Sequence, residues 1–201
     1  MPDAKCPMPT TSGTLVVISG PSGVGKTVIV REVLRRTGAL YSVSVTTRQP
    51  RTGEVDGRDY RFLDVPTFER LRAAGELLEW ALVHGNYYGT PAGPVRQALA
   101  SGRTMILEID VQGALQVHGR MPGGTYVLIV SPSDEELRRR LVGRKTEPPE
   151  VIERRFARAK AEIKMARASG IYAHIVVNDE LPAAVERVVK LTGDVARPSR
   201  P

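Results

Sequence analysis

Gly20-Pro21-Ser22-Gly23-Val24-Gly25-Lys26-Thr27 decides the fold. It follows the apolar run Leu15-Val16-Val17-Ile18-Ser19 and opens into Val28-Ile29-Val30-Arg31-Glu32-Val33-Leu34. Strand, glycine-rich turn and helix in that order turn G-x-x-x-x-G-K-[ST] from a pattern into a phosphate-binding loop. The glycines let the backbone curl so that successive N–H groups point inward. The start of the helix behind them adds partial positive charge. Lys26 is expected to reach the β- and γ-phosphates of a nucleoside triphosphate, with the Thr27 hydroxyl at one Mg2+ position. A glycine turn that merely precedes a lysine is the competing account. All eight positions and both flanks argue against it.

Working outward, 201 residues suffice for one substantial core with small insertions. A hydrophobic content of 41% and a charged content of 25% are ordinary for a globular protein. No apolar run approaches the ~20 residues of a membrane span. Met1 to Gly13 carries three prolines but no apolar segment, so it is expected to be a disordered extension rather than a signal peptide. The single cysteine, Cys6, excludes an intrachain disulfide and a cysteine-rich zinc site, which fits a reducing cytoplasm. A net charge of +7 suits either nucleic acid or small polyanionic ligands, and the placement of the arginines decides between them.

Gly38 is expected to close the first helix. Tyr41 to Arg48 alternates like one strand emptying into a turn-rich loop, followed by a short strand at Tyr60-Arg61-Phe62 and a helix from Pro66 to Ala74. Leu77–Val83 and Asn86–Gly89 form a hairpin around His84-Gly85. Beyond it the βα rhythm resumes: helix 94–100, strand 104–110, helix 112–118 and strand 125–130. Ser133-x-x-Glu136 is a capping box that opens a helix through Leu141. A long helix over 150–169 buries Ile152, Phe156, Ala159, Ile163 and Ala166 on one stripe, before strand 174–177 and helix 182–191. The pattern predicts an α/β fold, a P-loop NTPase-type parallel sheet flanked by helices, with a small β-rich insertion.

The insertion concentrates polar groups: Ser44, Arg48, Arg51, Tyr60, Glu79, Tyr88 and Thr90. Arg48 and Arg51 with two tyrosine hydroxyls suit a phosphate, which guanidinium binds bidentately. Glu79 is a carboxylate in an otherwise apolar strand, either a base reader or an edge-strand charge.

Ser42-Val43-Ser44-Val45-Thr46-Thr47-Arg48-x-Pro50-Arg51-x-Gly53-Glu54-x-x-Gly57-x-Asp59-Tyr60 resembles the nucleotide-binding segment of guanylate kinases. So do Glu79-Trp80, Gly85-Asn86-Tyr87-Tyr88-Gly89-Thr90, Glu108-Ile109-Asp110-Val111-Gln112-Gly113 and Val177-Asn178-Asp179. The resemblance is co-linear from about Gly13 to Leu191. It implies a P-loop core (14–44, 93–135 and 159–192), a GMP-binding insertion (45–92) and a helical lid (136–158), with loose termini at 1–13 and 193–201. It implies that Arg48, Arg51, Tyr60 and Tyr88 hold the GMP phosphate. Ser44, Glu79, Thr90 and Asp110 would surround the guanine or its sugar. Arg144 and Arg155 would close over the phosphates as catalytic cations beside Lys26 and Arg48. Asn178 would lie near the adenine; by itself it is also a candidate helix N-cap. Glu108, where the family often has aspartate, would hold a Mg2+-bound water. Lys145 follows Arg144 where glycine is usual.

Guanine offers N1–H and N2–H2 donors on one edge, which a carboxylate accepts in a fork, so Glu79 is the residue expected to select the base. A phosphomonoester with a second pKa near ~6 is mostly dianionic at neutral pH and needs no general base. The expected reaction is Mg2+-dependent phosphoryl transfer from ATP to GMP, with dGMP also plausible as acceptor. Arginines clustered at 138–158 account for much of the positive charge without nucleic acid, and Arg138 and Arg158 are assigned to solvated helix faces. His84, His118 and His174 have no metal-ligand spacing. The alternatives are a non-catalytic guanylate-kinase-like module that binds phosphopeptides, disfavoured by the intact Lys26 and Thr27, and a P-loop kinase of a phosphorylated sugar, which has no use for Glu79.

Overall fold

A computed structural model describes residues 13–83, 85–142 and 148–193. The expected strand at Leu15–Ser19 is β1, buried along its whole length. Helix α1, Lys26–Thr37, follows the glycine loop and ends at Gly38, whose φ of 68° is the left-handed conformation glycine tolerates. The chain then forms β2 (Leu40–Tyr41), β3 (Val45–Thr46), β4 (Arg61–Phe62), α2 (Val65–Ala73), β5 (Leu77–Val83) and β6 (Asn86–Pro91). Next come α3 (Ala92–Ala100), β7 (Met105–Glu108), α4 (Val111–Arg120), β8 (Thr125–Val130) and α5 (Asp134–Val142). Helix α6 (Pro149–Ser169), β9 (His174–Val177) and α7 (Leu181–Leu191) complete the described chain.

Two sheets result. The larger has the order β2-β7-β1-β8-β9, and its strands are parallel throughout. Its two faces carry separate apolar clusters, one with α1 and α7 through Ile29, Val33, Val185 and Val188, the other with α3 and α4 through Val95, Leu99, Ala114 and Val117. Covering both faces is what a parallel sheet with helical crossovers requires. The phosphate loop leaves β1, the middle strand, and the carboxylates of Glu108 and Asp110 leave its neighbour β7 at the same end, as binding sites in open α/β sheets do.

The second sheet has the order β4-β3-β6-β5. The alternating run 41–48, read as a single strand, is in fact two short strands in different sheets. Tyr41 pairs with Ile106 in the core, while Val45 pairs with Gly89 in the insertion. The alternation does not report the burial: both residues of β3 are buried and both residues of β2 are half-buried. β5 straddles the two parts. Leu77 packs with Val45 and Phe68, whereas Leu78 packs with Leu107 and Ile109 in the core. A register irregularity between Leu77 and Glu79 accommodates the change. The Gln116 side chain of α4 bonds both the N–H and the carbonyl of Trp80, tying this strand to the core.

The α5 cap is as expected, with Glu136 N–H donating to Ser133 Oγ at 3.1 Å. Along α6, Ala159 and Ala166 are buried and Ile152, Phe156 and Ile163 partly so. Among the described residues no helix is long and apolar enough to cross a membrane.

Candidate active site

The phosphate loop is held by close approach. Gly20, Gly23 and Gly25 have φ of 144°, 90° and 88°. A Cβ at Gly20 would lie 2.3 Å from the Ile129 carbonyl oxygen, and one at Gly25 would lie 2.5 Å from Asn178 Nδ2. Val24 is buried, and its carbonyl accepts from Asn178 Nδ2 at 2.8 Å. Asn178 is therefore a brace on the loop. Its own N–H bonds Val130, and its carbonyl accepts from Arg140. The N-cap account fails: α7 begins at Leu181 with Pro182 in its first turn, and Glu180 occupies the cap position.

Lys26 donates from Nζ to the carbonyls of Gly20 at 2.5 Å and Pro21 at 2.9 Å. Burial lowers its pKa, and the nearby carboxylates Glu108, Glu162 and Asp110 oppose that shift. A cavity of ≈ 600 Å³ opens over this part of the loop, lined by Gly20, Ser22, Lys26 and Asp110 on one side and Arg154, Arg155, Arg158 and Glu162 of α6 on the other. Arg155 donates to Ser22 Oγ at 2.9 Å, so α6 reaches the loop directly. Arg138 lies on an exposed face, paired with Glu153. Arg158 does not fit the solvated-face assignment completely: partly exposed and paired with Glu162 at 2.9 Å, it also lines this cavity. Helical periodicity cannot separate a solvated face from one that overhangs a neighbouring loop. Arg144 and Lys145 lie outside the described residues.

At the other end of the loop, Thr27 Oγ1 donates to Glu108 Oε1 at 2.6 Å. Both line a second cavity of ≈ 560 Å³ that reaches Arg31, Tyr41, Ser44, Glu54, Arg58, Asp59 and Tyr60. Burial raises the pKa of the Tyr41 and Tyr60 phenols, so both remain protonated donors at neutral pH. No group of three or more His, Cys, Asp or Glu arranged to hold a metal occurs among the described residues.

A third, smaller pocket of ≈ 210 Å³ joins the insertion to the core, lined by Ser44, Tyr60, Glu79, Tyr88, Glu108 and Asp110 among others. Glu79 is only 7% exposed, and its carboxylate accepts from Thr90 Oγ1 at 2.6 Å. Desolvation raises its pKa to about 7, against the Thr90 hydrogen bond and with a contribution from Asp110. Asp110 caps α4, accepting from Gly113 N–H at 2.7 Å. Gly113 matters for space: an added Cβ would sit 3.0 Å from Glu79 Oε2.

Arg48 is heavily engaged. Nε donates to the Tyr88 hydroxyl at 3.1 Å, Nη1 donates to the Gln49 carbonyl at 2.7 Å, and both Nη atoms contact Glu54, each at 3.0 Å. Its guanidinium also lies 5.4 Å from the Tyr60 ring centre. Arg51 is exposed and donates its backbone N–H to Glu54. Ser44, Tyr60, Glu79, Tyr88 and Asp110 thus share one pocket, with Thr90 bonded to Glu79 and Arg48 to Tyr88, whereas only the backbone of the exposed Arg51 is tied to this segment, through Glu54. The sequence singled out no role for Glu54 and took Arg140 and Arg154 only as members of the 138–158 arginine cluster. Glu54 had no signal apart from its place in a resembling segment.

A family model described as guanylate kinase matches residues 12–193. A protein named guanylate kinase from Gloeobacter violaceus is 57% identical over 178 residues, covering 88% of this chain and 85% of that protein. One of the same name from Nocardia farcinica is 49% identical over 185 residues, covering 90% and 94%. The crystal structure of guanylate kinase from Anaplasma phagocytophilum superposes with a TM-score of 0.73 at 33% identity, covering 90% of this chain and 85% of that one. With the family model spanning residues 12–193, curated relatives at 49–57% identity and a superposable guanylate kinase fold, the chain belongs to the guanylate kinase family.

Proposed function

We propose that this chain transfers the γ-phosphoryl group of ATP to GMP, giving ADP and GDP. One observation carries the assignment. The pocket that holds the buried Glu79 carboxylate shares Asp110 with the cavity that holds Lys26. A group suited to reading a base and a loop suited to a triphosphate therefore adjoin, as transfer between two bound nucleotides requires.

Glu79 would accept N1–H and N2–H2 of guanine, with Thr90 fixing one carboxylate oxygen and Ser44 and Asp110 completing the base and sugar side. Adenine presents a lone pair at N1 and would leave the carboxylate unpaired, which discriminates strongly in a buried site. Arg48, Arg51, Tyr60 and Tyr88 would hold the acceptor phosphate. On the donor side, the N–H groups of Ser22 to Thr27 would cradle the ATP phosphates and Lys26 would exchange its loop carbonyls for phosphate oxygens. Asn178 would support the loop near the adenine. Arg144 and Arg155 would neutralise the charge that builds as two polyanions approach.

Thr27 and Glu108 offer a hydroxyl and a carboxylate 2.6 Å apart, hard oxygen donors that suit Mg2+ with water completing its shell. Held by Thr27 and Glu108, Mg2+ would offset the negative charge of the ATP phosphates. We take 45–92 as the acceptor-binding part and 136–158 as a lid, working in the cytoplasm where the nucleotide substrates are.

ADP production from ATP with GMP, AMP, CMP and UMP offered separately tests the assignment. Turnover with GMP is expected, lost in Lys26→Ala and lowered about 100-fold or more in Glu79→Ala by the unpaired donors of a buried base. Folded protein that binds GMP without turnover would point to a binding module instead.

A further inference from the structure

Arg48 enters the acceptor site with almost all of its hydrogen-bonding capacity spent. Its bonds to Tyr88, to the Gln49 carbonyl and to both oxygens of Glu54 leave one Nη2 N–H. The fork that would grip a phosphate bidentately already grips a carboxylate. Glu54 in turn is fastened to its own turn. Its N–H donates to the Arg51 carbonyl at 3.0 Å, and its Oε2 accepts the Arg51 N–H at 2.7 Å. The pair is largely shielded, with side-chain exposures of 14% and 21%, unlike the surface ion pairs on α1 and α5. Both residues belong to the segment that lies beside Tyr60 and Tyr88.

Two roles are open to such a carboxylate. As a placeholder it would compete with the acceptor phosphate and be expelled by it. As a brace it would stay, fixing Arg48 and the Arg51 backbone together so that the remaining Nη2 N–H and the Arg51 side chain face a phosphate in a set arrangement. Two of the bonds that hold Glu54, its N–H to the Arg51 carbonyl and the Arg51 N–H to its Oε2, lie within its own turn and use no atom of the Arg48 fork, and they favour the brace. We propose that Glu54 is a positioning residue for the acceptor phosphate, acting through Arg48 and Arg51 and remaining bound to both when the acceptor is present. The hydrogen bonds from Arg48 and Arg51 hold the Glu54 carboxyl below its ordinary pKa, so it stays ionised through the neutral range.

The inference rests on the GMP kinase assignment, and the wild-type protein separates the two. Absence of wild-type turnover with ATP and GMP would overturn the assignment itself. With an active wild type, steady-state kinetics of Glu54→Gln and Glu54→Ala at saturating ATP test the brace. Removing charge-assisted hydrogen bonds should raise the KM for GMP about 10-fold in Glu54→Gln and more in Glu54→Ala. The KM for ATP should remain within about twofold, since the hydrogen bonds and the ion pair described for Glu54 run to Arg48 and Arg51. A merely structural loss would move both constants. A KM for GMP that falls or stays unchanged in Glu54→Gln identifies a placeholder and overturns the proposal. Should these variants fail to fold, Glu54→Asp keeps the charge but shortens the reach. A raised KM for GMP alone then supports the brace, and an unchanged one overturns it.

Discussion

Glu79 sits where burial and ionisation conflict. A carboxyl whose folded pKa is about 7, against an ordinary 4.5, binds more protons folded than unfolded between those values. Stability must therefore fall as pH rises from about 4.5 to about 7 and level off above, a difference of about 3 kcal/mol. Glu79→Gln removes that slope. Thermal melts should show it more stable than wild type by about 6–12 °C at pH 8 and little different at pH 4.5. Guanine reverses the preference, because its donors favour the ionised form. The KM for GMP should accordingly drop more steeply between pH 6 and pH 8 in wild type than in Glu79→Gln, whose higher KM keeps only the change from the acceptor phosphate's second pKa near ~6. A wild-type profile no steeper than the variant's would mean that the base does not meet this carboxylate.

Among the elements, the phosphate loop depends on a partner far away in sequence. Gly25, at φ 88°, passes so near Asn178 that any Cβ would collide with the amide holding Val24. Gly25→Ala should lower stability by about 1–3 kcal/mol, from the strained φ and the clash, and raise the KM for ATP. Asn178→Ala removes the clash but leaves the Val24 carbonyl without its donor. Because the two lesions share one contact, the double variant should be less destabilised than the sum of the single ones by denaturant titration. The loop itself was legible in the sequence because its chemistry is local: glycines, lysine and threonine at fixed spacing between a strand and a helix. Asn178 was legible only as a residue before a helix, since nothing local says that its amide crosses to Val24. Similarly, run 41–48 showed its alternation but not its change of sheet, which depends on pairing with Ile106 and Gly89. Glu79 could be nominated from its apolar surroundings, whereas Arg48 looked like an open fork until Glu54 was seen to fill it.

On the scale of the molecule, the acceptor residues divide between a strand tied to the core and the rest of the second sheet. Glu79 lies on β5, which Leu78 and Gln116 fasten to the core, while Arg48, Arg51 and Tyr60 lie on the outer part of the insertion. Closure would then bring the phosphate-holding side toward a base pocket that stays in place. X-ray scattering should show a smaller radius of gyration with both GMP and a non-hydrolysable ATP analogue than without them. Superimposable curves would rule such closure out. The chain leaves the parallel sheet after Tyr41 and rejoins it through the helix that begins at Ala92, so the stretch between is joined to the core by two chain crossings and by the packing of β5 on α4. A segment attached in this way can be lengthened, shortened or exchanged during evolution without reordering the strands beneath it. The acceptor can thus change along a lineage while the machinery for the donor is inherited unaltered.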